Sequence, residues 1–107
     1  MQKHLVYFGI INLLFLTMAT SSPAQNSGPE IYKSKCQMCH AADGSGNTPA
    51  GKAMKTRPFN SPDVMKQSDA ELTAVIKKGK NKMPAFEGKL TDAQIASLLA
   101  YIHTLQK

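Results

Sequence analysis

Tryptophan is absent, and only two cysteines and seven acidic residues occur among 107 positions. Two cysteines cannot build a multi-disulfide scaffold or a four-cysteine zinc site. Seven Gly and six Pro are too few for a collagenous or low-complexity chain. No segment alternates apolar and polar residues long enough to make a convincing strand, and no internal repeat is found. A chain of this length holds one domain at most. The shortage of acid leaves an excess of cation, with 13 Lys and Arg and a net charge of +6. That balance suits an acidic partner, a membrane surface or nucleic acid, and decides nothing about fold. No nucleic-acid-binding motif accompanies it, so nucleic acid is not expected as a partner.

The first feature present is an export signal. Lys3 and His4 precede an apolar run from Leu5 to Ala19, and Ser22 and Ala24 are small residues at the places a cleavage site needs. As a helix the run would span about 22 Å, short of the ~30 Å hydrocarbon core. Residues 1–24 are therefore expected to be a signal peptide and residues 25–107 the folded unit, located in the periplasm. An uncleaved membrane anchor is the minor alternative. A folded unit of roughly 80 residues buries a modest core and usually needs a staple, which points to a cofactor.

Pro29 suits a first helical position, and a helix is expected from about Pro29 to Met38. Residues 41–59 hold Gly44, Gly46, Pro49, Gly51 and Pro58 and read as a loop long enough to wrap something. Ser61-Pro62 opens a short helix to about Gln67. Ser68 to Glu71 forms a capping box, followed by Leu72, Val75 and Ile76 at helical spacing and Gly79 as a stop. After a second loop, residues 80–90, Thr91 to Gln94 forms another capping box. Ile95, Leu98, Leu99, Ile102 and Leu105 then carry an apolar stripe to the C-terminus. The expected architecture is all-α, with about four helices and long connections.

The stretch CQMCH is the informative motif. On a helix Cys36, Cys39 and His40 stand at i, i+3 and i+4 and share one side. Two thiols so placed can add to the vinyl groups of a haem, and the adjacent imidazole can reach its iron; this is the spacing of c-type haem attachment. Three other readings compete. A Cys36–Cys39 thiol–disulfide centre is expected beside a βαβ pattern, which is missing. A zinc site would need Cys36, Cys39, His40 and distant His103 without a second close pair. Two inert structural cysteines leave the His and the long loops unexplained. A sixth ligand must come from elsewhere. Met38 points away from the cysteine face, Met65 suits helix packing, and Met54 in the loop stays open. Met83 is favoured, because Pro84 pushes it out of helical geometry and a loop residue held that way can present its thioether. A thioether opposite His raises the reduction potential, which suits an electron carrier. His103 reads as a surface histidine.

These residues resemble a bacterial class I cytochrome c over essentially all of Gly28 to Lys107. The match is carried by Gly28 and Tyr32 ahead of CQMCH, ADGSGNTPAG, KKGKNKMPAF and LTDAQIASLLAYIHTL. It is similar to the cytochrome domains of cbb3-type oxidases and to small photosynthetic and respiratory carriers. The resemblance implies N- and C-terminal helices that cross through Gly28, Tyr32, Leu98 and Tyr101, around one covalent haem c and its iron. It implies that the Pro49 carbonyl orients the His40 imidazole, and that Arg57, or Lys52 or Lys55, contacts the haem propionates. Ala41 stands where the family often has Gly, a variant expected to weaken nothing essential. The implied function is one-electron transfer, not enzymatic, with no small-molecule substrate. A haem peroxidase or ligand sensor and a thiol–disulfide oxidoreductase are the alternatives. Lys77, Lys78, Lys80 and Lys82, with Lys52, Lys55 and Lys89 elsewhere, are expected to steer an acidic redox partner protein. Membrane contact is expected only through a partner or an uncleaved signal.

Overall fold

The structure is a computed structural model that describes residues 27–107; the expected signal peptide and its cleavage point lie outside the described residues. Six helical segments follow in order: α1 (Gly28–Lys35), α2 (Gln37–His40), α3 (Pro49–Ala53), α4 (Pro62–Met65), α5 (Asp69–Lys78) and α6 (Asp92–Thr104). Their starts are set locally. Ser27, Thr48, Ser68 and Thr91 each accept a hydrogen bond from a backbone N–H in the first turn that follows, satisfying one of the donors a helix start leaves over. Thr91 and Gln94 close a box in both directions, at 3.1 and 2.8 Å. Pro occupies the first turns of α1, α3 and α4, where its missing N–H costs nothing.

The first and last long helices cross, as expected. Gly28 makes the crossing close, because a Cβ there would lie 2.2 Å from the Ser97 carbonyl oxygen. Tyr32, 1% exposed, meets Tyr101 edge to face with ring centroids 5.3 Å apart. Ile31, Tyr32, Phe59, Ile76, Phe86, Leu90, Ile95, Leu98 and Ile102 form one core, with Cys36 and Met83 packed at its margin.

The fold is all-α, with two isolated bridges, Lys80 with Met83 and Glu87 with Leu90, as the extended pairings among the described residues. It differs from the sequence expectation in two places. The helix expected through Met38 breaks at Cys36, whose φ of −121° leaves the helical region, and restarts as α2. The loop expected from residue 41 to 59 contains α3, so that about four helices become six, three of them short. Thr48 followed by Pro49 is a cap and a first-turn proline, the same signal that marks α4.

Candidate functional site

The break at Cys36 does not scatter the motif. Cys39 and His40 both donate their backbone N–H to the Cys36 carbonyl, at 3.2 and 3.0 Å, so the three residues occupy one turn. Both cysteines are free thiols, half-buried. Burial pushes the Cys36 thiol up to about 11, an effect that Lys35 opposes and Cys39 reinforces. A thiol so disposed is protonated at neutral pH, the reverse of the lowered values that make redox-active CxxC thiols nucleophilic. Among the described residues no three His, Cys, Asp or Glu side chains converge where a metal ion could sit.

His40 is held on several sides. Its ring stacks on Phe59, with centroids 4.7 Å apart and planes inclined by 20°. Its carbonyl accepts from Gly46 N–H at 2.8 Å. Burial lowers its pKa, so the ring stands as neutral imidazole, the form that binds iron. Its Nδ1 is buried without a hydrogen-bond partner. Pro49, expected to orient it, begins α3, and no bond from His40 to the Pro49 carbonyl is formed in this structure. A buried imidazole nitrogen is expensive to leave unpaired, and a ring whose other nitrogen binds a metal carries its proton on that side. The half-buried thiols, the neutral ring and the orphaned Nδ1 fit a covalent haem held at this turn.

Sequence reasoning passed over two residues here. Thr48 Oγ1 donates to the Met38 carbonyl at 2.7 Å and accepts from Gly51 N–H at 2.9 Å, clipping α2 to the start of α3. Phe59 carried no signal beyond its apolar character. Ala41 corrects an expectation. It has φ 67° and ψ 163°, a region that only glycine enters without strain. The Tyr32 hydroxyl donates to the Ala41 carbonyl, and burial, with the neighbouring Cys36, Tyr101 and Asp43, raises the Tyr32 pKa.

Of the methionines described, Met38, Met54 and Met65 are 79%, 45% and 52% exposed. Met83 alone packs against the core. Its N–H donates to the Lys80 carbonyl at 3.0 Å and its carbonyl accepts from Lys80 N–H at 3.2 Å. Gly79 permits that turn, since its φ is +72° and a Cβ would lie 2.6 Å from the Met83 carbonyl oxygen. Downstream, Phe86 N–H reaches the Ile76 carbonyl at 3.0 Å and Glu87 N–H the Lys77 carbonyl at 3.1 Å, fastening the loop to the end of α5.

The cations divide. Arg57, expected near the propionates, pairs with Asp63 at 2.9 Å, and Lys77 pairs with Asp92 at 2.7 Å. Lys52, Lys55, Lys78, Lys80, Lys82 and Lys89 are exposed. His103 lies far along the chain from the cysteines and contacts Asp69.

Comparison with known proteins gives a consistent set of likenesses. Residues 23–102 match the family described as cytochrome c oxidase, cbb3-type, subunit III. The chain is 32% identical over 105 residues to cytochrome c6 of a Nostoc species, covering 94% of this chain and 92% of that one. It is 38% identical over 77 residues to cytochrome c6 of Parathermosynechococcus lividus, covering 71% and 84%. It is 30% identical over 89 residues to the cbb3-type cytochrome c oxidase subunit CcoP of Azospirillum brasilense, covering 81% of this chain and 30% of that longer one. Among solved structures, the KustC0563 c-type cytochrome superposes with a TM-score of 0.69 at 28% identity, covering 76% and 99%.

Proposed function

The chain belongs to the cbb3-type cytochrome c oxidase subunit III family, among the class I mono-haem c-type cytochromes, and on that footing we propose that Cys36 and Cys39 form the thioether links to its haem and that His40 and Met83 ligate the iron. The protein is an electron carrier with one covalently bound haem c. When bound, the haem supplies a one-electron redox couple.

The chain's own residues supply the rest. One turn presents both thiols and the imidazole. Phe59 limits rotation of the His40 ring. Both main-chain polar groups of Met83 are tied to Lys80, so the side chain is the part left to reach a ligand position. The observation that carries the assignment is that Met83, among the described methionines, is the one seated on the core. With His40 and Met83 both holding the iron, no position would be left for a peroxide or gaseous ligand, and the raised pKa of the Cys36 thiol argues against thiol–disulfide exchange.

Substituting Met83→Ala should leave the haem covalently attached and abolish the weak sulfur-to-iron band of the ferric protein. Survival of the band would transfer the role to Met54 or another residue and refute the assignment of Met83. The exposed Lys78, Lys80 and Lys82 flank this loop, and we propose that they steer an acidic redox partner. Exchanging Lys80 and Lys82 for Glu should slow association at low ionic strength by roughly tenfold or more and weaken its salt dependence, as measured by stopped-flow electron transfer to an acidic partner protein. We propose a periplasmic location, supported by the export signal expected at residues 1–24. No helix among the described residues is long and apolar enough to cross a membrane.

A further inference from the structure

A continuous set of contacts runs from the surface to the His40 ring. Asp69 at the start of α5 touches His103 Nε2 through Oδ1 at 2.7 Å. His103 Nδ1 lies 2.6 Å from Gln106 Oε1. Gln106 Nε2 donates to the Phe59 carbonyl at 3.2 Å. The Phe59 ring stacks on His40 at 4.7 Å. The members are 34 and 47 residues apart in sequence at two of these steps, so the chain of contacts exists only in the folded molecule.

Donor and acceptor chemistry fixes the protonation of this set. The Phe59 carbonyl can only accept, so Gln106 must turn its amide NH2 toward it. The Gln106 oxygen then faces His103 Nδ1, which must be a donor. The Asp69 carboxylate also accepts only, so Nε2 must be a donor as well. His103 is thereby required to be the doubly protonated imidazolium. Gln106 and Asp69 accordingly hold its pKa above the ordinary histidine value.

Loss of that proton cannot be absorbed locally. A neutral ring has one N–H for two acceptors, and the ionised Asp69 carboxylate, the stronger of the two acceptors, retains it on Nε2. The Nδ1 lone pair then meets the Gln106 oxygen. Turning the Gln106 amide over relieves that contact, and then sets its oxygen against the Phe59 carbonyl. Either way the link from Gln106 to Phe59 opens.

We propose that Phe59 is a positioning residue for the His40 imidazole and that His103, acting through Gln106, sets the seat of Phe59 according to its own protonation. The inference builds on His40 as an axial ligand. It gives the carrier a proton-linked adjustment of its ligand, located at the C-terminal end of α6. Of the charged groups on elements packed against α6, Asp69 is the one in contact with His103. Glu71 on α5, Glu30 on α1 and Lys107 at the tail are not among its hydrogen-bond or ion-pair partners, and Arg57 and Asp63 pair with each other. A second tie, Asn60 Nδ2 to the Lys107 carbonyl at 2.9 Å, keeps the tail docked when Gln106 is altered.

The test uses the full, haem-loaded protein in its ferrous, diamagnetic state, with NMR following the ring protons of His40 and His103 separately against pH. In the parent, the His40 signals should move in step with the titration of His103. In Gln106→Leu, His103 should still titrate while the His40 step is lost, because the charge remains and the link is gone. Phe59→Leu should displace the His40 signals at every pH and flatten them, and His103→Gln should remove the step. A His40 signal that stays flat through the His103 titration of the parent overturns the proposal. So does a step that survives undiminished in Gln106→Leu, which would mark a through-space field of the His103 charge. The ligand reading fails differently. His40 signals that lack the large shift of a ring bound to haem iron would refute ligation, and their movement or stillness with His103 would still decide the role of Phe59.

Discussion

The two segments that supply the proposed axial ligands are built on different principles. The His40 side, from Tyr32 through Phe59, adds to main-chain bonds such as Gly46 N–H on the His40 carbonyl a set of side chains that reach across the chain: the Tyr32 hydroxyl on the Ala41 carbonyl, Thr48 on the Met38 carbonyl, and the Phe59 ring on the imidazole. The Met83 side, from Gly79 to Leu90, is shaped by main-chain bonds, within itself at Lys80 and Met83 and to the end of α5 at Ile76 and Lys77. Its anchors are the buried side chains of Phe86 and Leu90. The first arrangement fixes a ring in place. The second fixes a backbone and leaves one thioether to be placed by burial. An electron carrier needs both ligands retained in both oxidation states, and the comparison locates the weaker hold on the methionine side.

The sharpest way to break that comparison is to remove an anchor of the Met83 loop. Phe86→Ala deletes a buried ring and should cost about 3–5 kcal/mol of stability, read by denaturant unfolding of the haem-loaded protein. The sulfur-to-iron band should weaken or vanish, while the haem stays covalently attached and His40 stays bound. An unchanged band would place the hold on Met83 in its main-chain bonds alone. On the other side, Tyr32→Phe leaves the ring packing against Tyr101 intact and leaves the Ala41 carbonyl with the long bond from Gly44 N–H, 3.3 Å, as its remaining partner. The expected loss is about 0.5–1.5 kcal/mol, with the Met83 band preserved. A Tyr32→Phe protein that lost the band as readily as Phe86→Ala would show the two segments to be one unit.

This division also decides what could be read from the sequence. Cys36, Cys39 and His40 are one turn of chain, so their proximity follows from spacing and survives the helix break at Cys36. The crossing of α1 and α6 was legible through the family resemblance that Gly28, Tyr32, Leu98 and Tyr101 carry, and the apolar stripe of α6 through its spacing. The starts of α5 and α6 were legible because caps act over three residues. What escaped was long-range or conformational. Phe59 meets His40 across 19 positions of irregular chain, and no pattern of residues announces a ring stacked on another. Arg57 was expected to face the haem, and Asp63, six residues on, takes its guanidinium. α3 was hidden by the glycines around it, although Thr48-Pro49 marked it. The strained backbone at Ala41 is invisible in a residue type that fits almost anywhere.

Ala41 offers the finest cut, because there the His40 side is held against its own backbone preference. An alanine at φ 67° and ψ 163° carries roughly 1–3 kcal/mol of conformational strain. Ala41→Gly relieves it. Against that stand the greater chain entropy of glycine in the unfolded state, roughly 0.5–1 kcal/mol, and the loss of one methyl from a position 8% exposed. Strain in the upper half of its range outweighs both, and the net gain expected is about 0.5–1 kcal/mol. For a domain of this size that is a rise in Tm of about 2–8 °C, measurable by calorimetry of the haem-loaded protein. The hydroxyl of Tyr32, with the main-chain bonds of Ala41 to Gly44 and Gln37, holds the alanine in that conformation, so the two changes should not add. In the double variant the cost of Tyr32→Phe should shrink, since glycine keeps the carbonyl in place without help, and a thermodynamic cycle of the four proteins measures the coupling. Strict additivity, or a fall in Tm for Ala41→Gly alone, would show that the turn after His40 is relaxed and that its geometry comes from packing rather than from a tyrosine working against strain.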